Sequence, residues 1–144
     1  MDYEKLAAEL VSGMIAFRRG KIQRNIDESM HGEAFVLWYI VRRGGDVNPG
    51  EIGQQMNVST ARVATALNNL EKKGLITRTI DPNNRRHILV GITPEGKELA
   101  ESHQKSALRT MSKMLEFLGE QDAKDYVRIM KKLGGFIPDC PENE

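Results

Sequence analysis

Apolar side chains recur at three- and four-residue steps over several stretches of the chain, a spacing typical of amphipathic helices. The first stretch begins at Tyr3 and predicts a helix that ends near Gly20. Its apolar stripe consists of Leu6, Leu10, Met14 and Phe17. The next run, AFVLWYIV, is too apolar for a surface position and too long for a typical strand. It predicts a central core helix over about residues 30–42.

The sequence GGDVNPG interrupts this pattern, because glycine and proline disfavour continuation of a helix. A short helix is predicted after it, over residues 49–56, with proline at the favourable first position. Ser59 has the side chain of an N-cap for a further helix, which reaches Lys73 and ends at Gly74. Two helices joined by a tight turn are the order of a helix-turn-helix.

Two runs rich in β-branched residues, LITRTI and HILVGI, flank the turn-forming segment DPNNRR and predict a two-stranded hairpin. Thr93 as N-cap and Pro94 in the first turn begin a long helix that reaches about Leu118. A final helix is predicted over about residues 120–133. The predicted fold class is therefore mainly α with a small β-hairpin, in a single domain spanning residues 1–144.

Charge is unevenly distributed along the chain. The whole sequence has a net charge of +1, but residues 60–97 contain seven basic and three acidic side chains and so carry +4. This contiguous basic block coincides with the predicted helix-turn-helix and hairpin. It favours a polyanionic partner such as DNA.

The single cysteine, Cys140, excludes an intrachain disulfide and indicates a reducing compartment. The chain begins with the polar residues MDYEK and has no apolar run long enough to span a bilayer. We therefore expect a cytoplasmic protein without membrane contact.

The polar face of the helix after Ser59 carries side chains that suit the major groove of DNA. Threonine hydroxyls bond to bases or phosphates, arginine forms a fork with guanine, and asparagine pairs with adenine. The candidate DNA-binding residues of this segment are Ser59, Thr60, Arg62, Thr65 and Asn69. From the helix alone, a solvated polar face explains the same pattern equally well.

Arg85 and Arg86 stand at the tip of the predicted hairpin. Guanidinium groups in that position suit the narrow, negative minor groove, so both arginines are candidate DNA contacts. The alternative for either of them is an ion pair with Asp81 across the turn.

Three motifs, LEKKGLITR, DPNNRR and ITPEG, resemble the patterns L-x-x-x-G-L-I-x-R, D-P-x-D-x-R and L-T-x-x-G. Through them the stretch of residues 47–100 resembles the MarR family of winged-helix transcription regulators. The resemblance implies a winged helix-turn-helix over residues 30–93 that binds double-stranded DNA. It also implies dimerisation helices over residues 1–29 and 94–144. Asn84 replaces the aspartate that orients the wing arginine in the family, so either its amide oxygen takes that role or the arginine is held more loosely.

The same resemblance implies a homodimer with interleaved terminal helices that binds a palindromic operator. We expect it to repress a promoter by occupying it, and activation is the alternative that the sequence leaves open. Relatives bind aromatic or anionic small molecules between the dimer helices and the winged part, so release by such an effector is implied. The candidate cleft residues are Met14, Phe17, His31, Trp38 and Tyr39. Simple packing in the core is the favoured alternative, because aromatic residues and methionines at helical spacing usually pack.

No pattern of an enzyme, cofactor or metal site is found in the sequence. The three histidines, His31, His87 and His103, lie far apart and lack the paired spacing of metal ligands. No nucleophile with a nearby base and no glycine-rich phosphate loop stands out. Two other functions stay open: a winged-helix module that binds protein, and a ligand-binding protein without DNA affinity. Capture of a specific partner without DNA would favour the first, and tight ligand binding with no DNA affinity the second.

Overall fold

The computed structural model describes residues 1–24 and 32–136. Its main helices are α1 (Tyr3–Arg18), α2 (Glu33–Arg43), α3 (Pro49–Met56), α4 (Thr60–Lys72), α5 (Pro94–Leu118) and α6 (Glu120–Leu133). Strands β1 (Ile76–Asp81) and β2 (Asn84–Ile92) form an antiparallel hairpin between α4 and α5. The predicted fold class, mainly α with a small hairpin, is confirmed. His31 and Cys140 lie outside the described residues.

The ends of the helices follow their capping residues. At the start of α1, the Asp2 carboxylate accepts a hydrogen bond from the Lys5 backbone N–H, with 3.1 Å between Oδ1 and N. α2 ends at Gly44, whose φ of 78° lies in the left-handed region that glycine adopts without steric cost. The predicted start of α2 at about residue 30 is corrected to Glu33, because Gly32 has an extended backbone and is the N-cap.

The buried core lies where α2, α3, α4 and the base of the hairpin meet. Its residues are Val36, Leu37, Ile40, Val47, Ile52, Met56, Val63, Leu67, Leu70, Ile76, Val90 and Ala100. The run that was expected to form a core helix contributes three of these residues from α2. The apolar stripe of α4 also faces this core, as its spacing predicts.

The hairpin is attached to the rest of the protein at its base. Val47 pairs with Val90 of β2 in both directions: the Val47 N–H donates to the Val90 carbonyl at 3.0 Å, and the Val90 N–H donates to the Val47 carbonyl at 2.8 Å. On β1, Arg78 is the register partner of Val90. The regular ladder shifts between Ile80 and Asp81, at the start of the tip.

The beginning of α5 packs closely against the chain that leads into β1. The Thr93 hydroxyl accepts a hydrogen bond from the Gly96 N–H at 3.1 Å and donates one to the Gly74 carbonyl at 2.7 Å, which confirms Thr93 as the N-cap. A Cβ atom on Gly96 would lie only 2.0 Å from the Leu75 carbonyl oxygen. Position 96 therefore requires glycine for this close approach.

The chain divides into two compact units, Met1–Leu108 and Arg109–Glu144. In the first unit, α1 has no buried residue, and Leu10 is 64% exposed. In the second, α6 has none either, and Leu133 is 53% exposed. Each helix thus presents uncovered apolar side chains, which a monomeric protein rarely does over a contiguous face. The assignment of residues 30–93 to DNA binding and of residues 1–29 and 94–144 to dimerisation stays a prediction.

Candidate nucleic-acid interface

The turn between α3 and α4 has the tight geometry of a helix-turn-helix. Asn57 adopts a left-handed conformation, with φ 52° and ψ 48°, which asparagine tolerates better than most residues. The Val58 N–H then donates to the Gly53 carbonyl at 3.2 Å. Ser59 follows with an extended backbone, and its Oγ accepts a hydrogen bond from the Arg62 N–H at 3.3 Å. The predicted N-cap is confirmed.

α4 has one buried face and one exposed face. The buried face consists of Val63, Leu67 and Leu70. Arg62, Thr65 and Asn69 are exposed, and their three- and four-residue spacing places them in one row on the outer side of the helix. Thr60 is also exposed, at the first turn of α4. The structure therefore brings Arg62, Thr65 and Asn69 together on one surface, whereas Thr60, about 200° around the helix from Arg62, lies on another side of α4.

Thr65 has a more restricted role than the sequence suggested. Its hydroxyl donates a hydrogen bond to the Ala61 carbonyl, with 3.0 Å between Oγ1 and O. A hydroxyl has one proton to donate but two lone pairs. Thr65 is therefore free to accept from an amino group of adenine or cytosine, and not to donate without giving up its helix bond.

Arg78 of β1 connects the hairpin to α4, a role that the sequence reading missed. Its Nε donates to Glu71 Oε2 at 3.1 Å, and its Nη2 donates to Glu71 Oε1 at 2.9 Å. The same Nη2 donates to Asn68 Oδ1 at 2.8 Å. The hydrogen bonds with Arg78 lower the pKa of the Glu71 carboxyl below its ordinary value and raise the pKa of Arg78. The arginine of the GLITR motif was visible in the sequence, but nothing in the sequence identified its partners.

The tip of the hairpin is ordered by bonds between side chains and backbone. The Asp81 carboxylate accepts a hydrogen bond from the Asn83 N–H at 2.9 Å. The Asn84 amide oxygen accepts one from the Arg86 N–H at 3.1 Å. Asn84 thus holds the backbone of the wing arginine, and no hydrogen bond joins its side chain to the Arg86 guanidinium within the described residues.

Arg85 and Arg86 are both exposed at this tip. Within the described parts of the chain, no ion pair joins Asp81 to either arginine. The alternative of a salt bridge across the turn is therefore not realised in the structure. Both guanidinium groups are therefore exposed to solvent and accessible to an anionic partner.

Comparison with known proteins identifies the family. The MarR family model matches residues 31–88, which include the helix-turn-helix and most of the hairpin. The HTH-type transcriptional repressor MdtR of Bacillus subtilis (strain 168) is 31% identical over 119 residues, which cover 78% of this chain and 76% of MdtR. The chain belongs to the MarR family. It is accordingly a winged-helix transcriptional regulator, and the family is one of regulators and not of enzymes.

Solved structures agree with MarR-family membership. The YusO protein from Bacillus subtilis is 25% identical and has a TM-score of 0.67, with 95% of this chain and 100% of that chain covered. Streptococcus pneumoniae FabT in complex with DNA is 22% identical and also has a TM-score of 0.67, with 92% and 94% covered. Both comparisons confirm the fold of the MarR family over nearly the whole chain.

The candidate effector cleft of the MarR type is only partly represented in the described residues. Trp38 and Tyr39 are half-buried on α2, and both pack against the ring of Phe35, at centroid distances of 5.4 and 6.2 Å. Met14 and Phe17 are exposed on α1, and His31 lies outside the described residues.

Two hollows of about 200 Å³ flank α4, one lined by residues that include Thr60 and Ile88, the other by residues that include Arg62 and Asn69. Neither hollow is lined by a candidate cleft residue, so the predicted cleft stays a prediction.

Over residues 1–24 and 32–136, no group of three or more His, Cys, Asp or Glu side chains could hold a metal ion. In the same ranges, no helix is both long and apolar enough to cross a membrane.

Proposed function

We propose that the protein is a homodimeric repressor that binds a palindromic DNA operator through α4 and the hairpin. One observation carries the proposal: the exposed polar row on α4 and the exposed arginines of the hairpin tip belong to one compact unit. A helix of this kind enters the major groove, while a wing reaches the adjacent minor groove or its phosphates. Two similar proteins support it: MdtR is a transcriptional repressor, and FabT was solved in complex with DNA.

Each side chain of the polar row has a definite role in this proposal. Arg62 forms a bidentate fork with guanine, and Asn69 pairs with adenine through its amide. Thr65 accepts from an amino group at a base edge, because its proton is used within α4. Ser59 and Thr60, at the start of α4, bind phosphate, which the positive end of the helix dipole favours.

The hairpin supplies affinity rather than base discrimination. Arg85 and Arg86 replace counterions on phosphates or enter the negative minor groove. Such contacts contribute a slope of about −0.9 each in the logarithm of the binding constant against the logarithm of salt concentration. The protein should therefore bind DNA most tightly at low salt.

Dimerisation is proposed to involve the uncovered apolar sides of α1 and α6. A two-fold dimer places two α4 helices in successive major grooves, about 34 Å apart, on a palindromic site. Occupation of a promoter by this dimer would block transcription. A small aromatic or anionic effector bound near Trp38 and Tyr39 would release the DNA by changing the separation of the two α4 helices.

The proposed function is tested by a gel-shift titration against DNA upstream of the protein's own gene, with a scrambled duplex of equal length as competitor and two salt concentrations. Discrete shifts that resist the competitor and weaken with salt are expected. Equal binding to both duplexes, or no binding, would contradict the proposal. The fluorescence of Trp38, the single tryptophan, then reports whether added aromatic acids bind.

A further inference from the structure

The three hydrogen bonds of Arg78 join two parts of the protein that have different tasks in DNA binding. Arg78 lies on β1, and its partners Glu71 and Asn68 lie one turn apart on the second half of α4. The next residue after Asn68 is Asn69, a candidate for contact with bases. The Arg78 network thus joins the hairpin to the segment of α4 that is proposed to read DNA.

This network lies at the boundary between the buried base of the hairpin and its exposed outer part. Ile76 and Val90 are fully buried in the core beneath it. Two residues beyond the Arg78–Val90 pair, towards the tip, the paired residues Ile80 and Ile88 are 65% and 44% exposed. Among the described residues, no hydrogen bond or ion pair joins the hairpin to α4 beyond Arg78. The network is therefore the outermost polar connection between the hairpin and α4 in this part of the chain.

We propose that Arg78 is a positioning residue for DNA binding, which holds the hairpin at a fixed distance from α4 through Glu71 and Asn68. With the network formed, Arg85 and Arg86 reach the DNA backbone when Arg62 lies in the major groove. Without it, the hairpin must be ordered on binding, which costs free energy. The inference rests on the proposed function, because it concerns how that surface is aligned.

A direct role is the competing explanation, in which Arg78 binds a phosphate and Glu71 merely neutralises it. The two explanations predict opposite signs for Glu71→Gln. Removal of a negative charge from a DNA-binding surface by itself raises affinity. If Glu71 matters as the partner that aligns Arg78, its loss weakens binding despite the more favourable charge.

The experiment measures operator affinity and salt dependence for the wild type and Glu71→Gln, with Glu33→Gln as the matched control. Glu33 is also a partly exposed carboxylate, and it forms an ion pair with Lys73 directly after α4, at 2.9 Å between Nζ and Oε2. That pair does not involve the hairpin. We expect Glu71→Gln to lower operator affinity about threefold or more, and Glu33→Gln to leave it unchanged or raise it slightly.

A second variant, Arg78→Gln, is examined by hydroxyl-radical footprinting on the same operator. The expected result is loss of the flanking minor-groove protections, retention of the central protections from α4, and about tenfold weaker binding. Circular dichroism and thermal melting establish that each variant is folded. If Arg78→Gln melts far below the wild type, Asn68→Ala is used in its place. This variant removes only the bond between Arg78 and Asn68, and it is expected to lose the same protections.

Tighter binding by Glu71→Gln, or an unchanged footprint for folded Arg78→Gln or Asn68→Ala, would overturn the inference and leave the proposed function intact. Absence of specific binding by the wild type would instead overturn the proposed function, and the inference with it.

Discussion

Arg62 is the side chain through which base discrimination is most directly tested. It is exposed on the outer row of α4, and its backbone N–H is already satisfied by Ser59. We expect Arg62→Ala to weaken operator binding by roughly 5- to 150-fold, since a bidentate contact to guanine contributes about 1–3 kcal/mol. Binding to non-specific DNA should change little. Competition gel shifts with both duplexes measure the two effects.

Arg62→Lys is the matched variant for this test, because it keeps the charge and removes the planar fork. It should resemble alanine on the operator and the wild type on non-specific DNA. An equal loss on both DNAs for Arg62→Ala would show that Arg62 contacts phosphate and does not read a base.

Arg86 at the hairpin tip has a different expected signature. Arg86→Ala should lower affinity for every sequence and reduce the salt slope by about 0.9, the value for one phosphate contact. Titrations at four or five salt concentrations measure this slope. Lys97→Ala removes another cation of the same basic block, outside the proposed contact surface, and should keep the wild-type slope. If Arg86→Ala kept the wild-type salt slope, the proposed contact between the hairpin tip and DNA phosphates would be wrong.

At the residue scale, the sequence predicted those interactions that are local. Ser59 and Thr93 were predicted as N-caps because a cap bonds to the N–H three residues ahead, within one turn of chain. The Arg78 network could not be predicted, because Glu71 and Asn68 lie 7 and 10 residues away and meet Arg78 only after the chain reverses between α4 and β1. Thr65 as an internal donor was missed for another reason: a polar helix residue bonds outward or back to its own helix with similar ease.

Among the helices and strands, the start of α5 has the strictest requirement for one residue type, because glycine is needed at position 96. Gly96→Ala should destabilise the protein by about 1–3 kcal/mol, because the new Cβ would overlap the Leu75 carbonyl oxygen, which is backbone and cannot rotate away. Urea denaturation at one fixed protein concentration measures the change.

Gly53→Ala is the control for this substitution. Its Cβ would meet Val63 Cγ2 at 3.4 Å, an ordinary contact, so the gain in helix propensity should leave stability unchanged or up to about 1 kcal/mol higher. If Gly96→Ala were as stable as the wild type, the close packing of α5 against the segment before β1 would be incorrect.

Element types were predictable because their signals are strong and local: apolar spacing, turn residues and caps. The start of α2 could not be predicted, because the composition around Gly32 permits a helix whereas Gly32 has an extended backbone. Periodicity also failed to show what the stripe of α1 covers. An apolar stripe has the same spacing whether it faces the core of its own chain or a second molecule.

For the whole molecule, the proposed dimer depends on these uncovered stripes. Leu10→Glu places a charge on the apolar side of α1, where Leu10 is 64% exposed. Burial of a leucine side chain contributes about 1.5–3 kcal/mol, so its replacement in both protomers should weaken the dimer by at least about tenfold. Operator binding should fall with it, because one protomer contacts only one half-site.

Sedimentation velocity over a range of protein concentrations measures the dimer equilibrium. Ser12→Glu, about 200° around the helix from Leu10, introduces the same charge on the opposite side of α1 and should leave the dimer intact. A wild-type dimer for Leu10→Glu would exclude this side of α1 from the interface.

The reciprocal pair of Val47 and Val90 has a consequence for how the hairpin can vary among related sequences. It secures the base of β2 to the segment between α2 and α3, while Asp81, Asn84 and Arg86 at the tip contribute nothing to the core. Insertions at an exposed loop cost little, because closure entropy grows only slowly with loop length. Residues added at the tip would extend the reach of the arginines along DNA without altering the buried core. The length of DNA that the protein contacts can therefore change during evolution while the fold stays the same.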